Sequence, residues 1–473
     1  MHPLHSALLA TVALGACGRI AFEPADATDT TDAGDAPWPT LAGTWTWMAG
    51  SNFGEQPGSY GTRGVSSPSN YPGPRENGGS WGRADGSMWL FGGYGIGASV
   101  PTTGRLDDLW RFDSSTGLWT WMHGGSAALD AGVYGLPGVP DPANHPGGRN
   151  DATGWVDETG DLSLFGGNGH DAIGCLGALN DLWRYGTGTG QWTWIAGSSM
   201  CNQPGVYGAR GVPDTANIPG ARGSPASWTS PSGVWMYGGD GIDRVGTLGR
   251  LSDLWHYDAA GNVWTWIDGS DVADQLPVHG AIGVASPTSH PGSRTGGCAW
   301  AGTDELWLFG GGATDGLRND LWRYTISTGV WTWVAGSIAI QQPGSYATRG
   351  VPDPTSAPGA RVSVSCWLDG RGNLWLFGGE GRDGTGALGS LSDLWVYMPG
   401  TGQWTWVAGN DLVNQVGRYG TLGVPDTLNA PGGRAVGASW ARADGSLWLF
   451  GGDFAFDSIG QTRWLGDLWR FGP

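Results

Sequence analysis

Lysine is absent from this 473-residue chain and glutamate occurs only six times, so the 24 basic residues are all Arg. These two types supply much of the polar surface of ordinary helices. Their scarcity argues against a helical protein. Positive charge is also short: 42 Asp and Glu leave a formal charge of −18, which argues against nucleic acid as a partner, since phosphate contact needs a basic footprint. A Gly-X-Y tract is missing despite 89 Gly, so collagen is a poor reading. Hydrophobic residues still make up 39%, too many for disorder. What is plentiful is Gly and Trp, an all-β composition.

The one apolar run of note, residues 7–16 (ALLATVALGA), has the length of a signal-peptide core and is too short to span a bilayer. It ends in Leu14-Gly15-Ala16-Cys17, which resembles a bacterial lipobox. That resemblance implies a signal peptide over residues 1–16, lipidation of Cys17 and a membrane contact made through the lipid alone. Gly18, with no Asp there, fits the outer-membrane sorting pattern. The segment before the run departs from the pattern, carrying His2 and His5 but no Arg. Residues 17–42 are rich in Asp, Thr, Ala and Pro and read as an acidic tether with too little apolar surface to order. The expected address is an exported protein, lipid-anchored in the cell envelope or secreted.

Three blocks recur in fixed order through residues 43–473. An aromatic run ends in Gly-Gly at Gly92/Gly93, Gly166/Gly167, Gly238/Gly239, Gly310/Gly311, Gly378/Gly379 and Gly451/Gly452. Asp-Leu-Trp begins at Asp108, Asp181, Asp253, Asp320, Asp393 and Asp467, and Trp-Thr-Trp follows it. Before each Gly pair an Arg precedes a Trp by six residues, from Arg75/Trp81 to Arg434/Trp440. The period averages about 72 residues. Each repeat therefore predicts a four-stranded antiparallel meander. In Leu374-Trp375-Leu376-Phe377 both alternating faces are apolar, so that strand must be covered on both sides. Ser163 stands where other repeats have Trp, and looser packing is expected there.

Trp45-Thr46-Trp47 precedes the first Arg/Trp strand, while the chain stops at Phe471-Gly472-Pro473 without a Trp-Thr-Trp of its own. The first strand can thus complete the last sheet. The predicted fold is all-β, a six-bladed β-propeller forming one domain, its ring closed by the N-terminal strand. The order LWLFGG, DLW, WTW resembles the kelch repeat across residues 43–473, although the period exceeds the ~50 residues usual for kelch. Galactose-oxidase-like enzymes and sialic-acid epimerases of the kelch class share this architecture, and fold alone does not choose among functions.

The additional length lies between each fourth strand and the next first strand, as in residues 49–74, 196–221 and 335–360. Tyr60, Tyr134, Tyr207, Tyr346 and Tyr419 recur there, with His279 in the remaining copy and Arg63, Arg210 and Arg349 close by. Six insertions on one face predict a collar whose Tyr and Arg could stack on sugars; the competing reading is a structural hairpin burying its Tyr against its own sheet. The Asp of Asp-Leu-Trp is expected to bond turn amides. Asp171, Asp243, Asp315 and Asp383, with Asn168, Asp240 and Glu380, could supply oxygens to Ca²⁺, but turn capping is simpler. His145 and His290 read as packing residues. No motif demands a metal, a cofactor or a catalytic set. Cys175 and Cys201 should emerge on one face and form a disulfide in an exported protein; Cys298 and Cys366 are expected as buried free thiols.

These residues point to a binding or adhesion scaffold for a glycan or protein ligand. The alternative is a carbohydrate-active or oxidising enzyme of galactose-oxidase or sialate-epimerase type, built from the least repetitive loops, 170–176 and 453–464.

Overall fold

The computed structural model describes residues 43–98, 103–128, 130–230 and 233–472. The signal segment, Cys17 and the tether lie outside them. Every regular element among the described residues is a strand. In the first repeat Gly79–Gly82, Ser87–Ile96, Thr103–Asp113 and Leu118–His123 pair antiparallel in chain order. The Arg sits just upstream in a separate two-residue strand, Arg75–Glu76, paired farther along Ser87–Ile96. Later repeats form sheets of the same order, an architecture consistent with a β-propeller.

Alternating side chains of Ser87–Ile96 are apolar on both faces, and Met88, Trp89, Leu90 and Phe91 are all buried. Met88 and Leu90 join a cluster with Trp448 and Phe450 of the last repeat. Trp89 and Phe91 join Leu162, Leu164 and Trp183 of the second. Each face thus meets a neighbouring sheet, and large side chains buried this way stabilise by roughly 2–3 kcal/mol apiece. Indole N–H groups also cross between sheets: Trp81 donates to the Ser163 carbonyl at 2.9 Å and Trp228 to that of Trp307 at 2.9 Å. Where Ser163 replaces Trp, a cavity of about 240 Å³ opens beside it, the looser packing expected there.

Backbone bonds also link one repeat to the next. Two residues after each Arg, the chain takes positive φ at Asn77, Asp151, Ser224, Gly296, Ser363 and Val436. The amide of Asp151 donates to Asn77, Ser224 to Asp151, Gly296 to Ser224, Ser363 to Gly296, Val436 to Ser363, and Asn77 to Val436, at 2.8–3.1 Å. Six bonds return to their starting residue. They surround a cavity of about 160 Å³. At the chain ends Thr44–Ala49 pairs antiparallel with Thr462–Gly472, setting Trp45 opposite Phe471.

The Gly pairs are required by close approach. A Cβ on Gly92 would lie 2.6 Å from the Arg149 carbonyl oxygen and 2.7 Å from that of Leu106, at φ 61°. The insertions do not stand up as a free collar. Each runs back along the fourth strand of the sheet that follows it, with Ser67 opposite Trp119, Asp141 opposite Trp192 and Asp214 opposite Trp264. An otherwise open sheet edge is covered.

Both cysteine pairs are bridged. Cys175–Cys201 is the expected disulfide. Cys298–Cys366 corrects the free-thiol expectation. The two cysteines lie on opposite strand faces of consecutive sheets, and in stacked sheets those are the faces that meet. Thr153 and Ser227 occupy the same two positions at another junction and bond through their hydroxyls at 2.5 Å.

Candidate functional site

The most repeated polar residues converge on one buried unit per sheet. Arg75 Nη1 and Nη2 donate to the two carboxylate oxygens of Asp108 at 2.6 and 2.8 Å, and Trp110 Nε1 and the Tyr60 hydroxyl also donate to Oδ2. Arg75 further donates to the carbonyl of Gly92, the first of its Gly pair. Arg149, Asp181, Tyr134 and Trp183 repeat the unit, and four more copies follow. In the fourth, His279 Nε2 takes the place of the tyrosine hydroxyl at 3.1 Å from Asp320. The Asp therefore serves side chains rather than the turn amides expected of it. Burial, then the neighbouring carboxylate, pushes the Tyr60 and Tyr207 hydroxyls above their ordinary value, which keeps them protonated donors.

This placement removes the tyrosines from a ligand surface. Tyr60, Tyr134, Tyr207 and Tyr419 are buried, and Tyr346, partly buried, bonds Asp393 at 2.6 Å. The hairpin reading accounts for all five, because a phenol tied to a buried carboxylate has no free ring face for a sugar. Arg63, Arg210 and Arg349 instead lie over Trp121, Trp266 and Trp406 at 4.5–4.7 Å and donate to the carbonyls of Gly124, Gly269 and Gly409. Asp171, Asp243 and Asp383 cap their turns, each accepting two amides of its own loop through Oδ1. Asp315 differs, pairing with Arg318 at 2.6 Å. The one metal-sized group of ligating side chains among the described residues, Asp171 with Cys175 and Cys201, has both sulfurs in the disulfide. His145 and His290 are partly buried and line cavities of about 380 and 510 Å³, as Ile218 does at the same position.

Repetition breaks in the layer beside the ring of backbone bonds, on the side where the insertions enter. The residue after each Arg pairs with the residue after each Gly-Gly: Glu76 with Tyr94, Asn150 with Asn168, Gly223 with Asp240, Thr295 with Gly312, Val362 with Glu380 and Ala435 with Asp453. No two pairs are alike. Burial, and then the charge of Asp453 and a hydrogen bond to it, raises Glu76 to about 9. Asp151 is also raised, by burial, while accepting Ser224 Oγ at 2.6 Å and Asn150 Nδ2 at 2.7 Å. Arg250 lies 3.5 Å from Asp240. The layer is acidic, and burial also raises Asp240. Of its members the sequence analysis singled out Asn168, Asp240 and Glu380. Glu76 and Asp453 in the layer, and Asp151 in the ring beside it, went unrecognised in the sequence; the available signal was variation at a fixed offset from an invariant Arg or Gly pair.

Neither the protein-family models nor the curated proteins compared with this chain contain a match to it.

Proposed function

We propose that the chain is a six-bladed propeller of kelch type, closed by its N-terminal strand, exported and anchored through Cys17, and that it serves as a binding scaffold in the cell envelope for a glycan or protein ligand. The returning circuit of six amide bonds and the pairing of Thr44–Ala49 with Thr462–Gly472 support the ring. Export is supported by two disulfides, which persist in oxidising compartments. The observation that carries the binding role is the layer of six unlike residue pairs. A site for one ligand requires asymmetry, and here it is concentrated on the insertion face while the Arg-Asp-Tyr-Trp units stay the same.

The test is a glycan array probed with the full chain carrying Cys17→Ala, which removes lipid attachment, beside a copy also carrying Glu76→Gln and Asp240→Asn. Binding of a glycan class by the first and its weakening in the second supports the scaffold reading at this layer. A blank array removes the glycan and leaves protein ligands.

A further inference from the structure

A second polar cavity lies away from the ring, in the groove between an insertion and the ends of strands Thr103–Asp113 and Leu118–His123. Its volume is about 380 Å³, and Arg63, Asp107, His123, Asp130 and His145 line it. That volume falls within the ~300–1,000 Å³ typical of small-molecule sites. Sister grooves carry Asn180, Ala196 and Ile218, or Asn319, Ala335 and Ala357, at the positions of Asp107, His123 and His145. The third groove keeps an arginine and a histidine, Arg210 and His290, but has Ser252 and Asp268 at the other two positions, so the pairing of Asp107 with His123 belongs to this groove.

Comparison with the sisters shows what the groove lacks. Asn180 and Asn319 each accept an amide through Oδ1 and donate Nδ2 to the carbonyl of Pro219 or Pro358 at 3.3 Å. Asp107 keeps the first bond, accepting the Gly125 amide at 2.9 Å. Its Oδ2 replaces the amide nitrogen and is left without a hydrogen bond, 3.8 Å from His145 Nδ1, though Asp107 is only 3% exposed. Pro146, the counterpart of Pro219, has its carbonyl 3.2 Å from the same His145 nitrogen. At those distances the imidazole nitrogen can serve the Pro146 carbonyl but not Asp107 Oδ2. Asp107 lines the cavity, so a donor on a ligand can reach that oxygen. On the other side, His123 Nδ1 accepts the Gly124 amide at 2.8 Å, so its proton sits on Nε2 and the ring offers a donor.

We infer that this groove binds a sugar ring through vicinal hydroxyls, one donating to Asp107 Oδ2 and others accepting from His123 and Arg63. Hydroxyls match a site in which unsatisfied acceptors face N–H donors, because each can donate and accept. A simple cation would satisfy the two carboxylates but face Arg63. A simple anion would meet Asp107 and Asp130. The inference rests on the glycan form of the proposed function and assigns it a site separate from the ring layer.

The experiment uses the full chain with Cys17→Ala and records saturation-transfer NMR with glucose, galactose, mannose and N-acetylglucosamine. Asp107→Asn and His145→Ile introduce the residues of a sister groove, so the fold is expected to persist; a cooperative melt at or above the parent's melting temperature confirms it. At least one sugar should give a signal that weakens about tenfold or more in either variant. No signal with any of the four sugars overturns the inference. A signal insensitive to the groove variants but lost in the ring-layer variant also overturns it, while leaving the scaffold reading intact.

Discussion

Arg222 and Asp253 face each other in a two-pronged ion pair, Nη1 to Oδ1 at 2.6 Å and Nη2 to Oδ2 at 2.7 Å, with both side chains out of solvent contact. Tyr207 and Trp255 donate to the same carboxylate. Such a pair gives little net stability relative to apolar residues of the same size, but breaking it leaves an uncompensated charge. Arg222→Met alone should therefore destabilise the protein by about 3–5 kcal/mol, and Tyr207→Phe by about 1 kcal/mol. Thermal melts of both variants check this; equal losses would mean that the charge is not the sensitive element.

All four cysteines of the described residues are paired. Alkylation under denaturing, non-reducing conditions should label none of these four, and prior reduction should expose them all. The bridges close separations of 26 and 68 residues, so reduction should cost about 2–4 kcal/mol for each. Mass spectrometry of the labelled chain separates this outcome from labelling of Cys298 and Cys366 alone.

Burial, then the charges of Asp108 and Asp130, raise Asp107 to about 7 against opposition from the Gly125 amide. Its unfolded value is about 3.9. Because the folded state holds this proton more tightly, stability falls as pH rises from about 4 to about 7 and changes no further above it. Asp107→Asn removes the dependence. At pH 8 the variant should be more stable than the parent, by up to roughly 4 kcal/mol, and near pH 4 the two should agree. Parallel melting curves across that range would contradict the assignment.

Replacing Cys17 by Ala should move the protein from the membrane fraction to the soluble fraction of cells and abolish incorporation of labelled fatty acid. Retention in the membrane without label would remove the lipid anchor from the proposed function.

In the fourth repeat His279 stands in for tyrosine beside Asp320, and Arg294 Nε is left without a partner. Introducing the sister residue, His279→Tyr, should raise the melting temperature by about one degree, consistent with about 1 kcal/mol. A decrease would show that the histidine is favoured by its own surroundings.

Much of the architecture was legible because its signals are local and repeated. Alternation in Leu374-Trp375-Leu376-Phe377 required cover on both faces, and four adjacent buried side chains in that strand bear this out. The fixed offset of six residues between Arg and Trp set the repeat, and Ser163 located a loosely packed junction. The candidate sites were less legible. Tyr60 and Asp108 are separated by 48 residues, and sequence spacing does not show that an insertion folds back far enough to join them. Cys298 and Cys366 lie four and five residues after their Arg, hence on opposite strand faces; that those faces look at each other depends on how consecutive sheets stack.

By itself, then, the sequence determined an all-β chain of six four-stranded repeats, since hydrophobic alternation and turn residues act over a few positions. Only the tertiary structure decided which residues meet. It buried the tyrosines against Asp and Arg, paired the last cysteines, and gathered unlike acids beside the ring and Asp107 beside two histidines. These outcomes depend on distances between segments tens of residues apart, which are set by the packing of sheet on sheet.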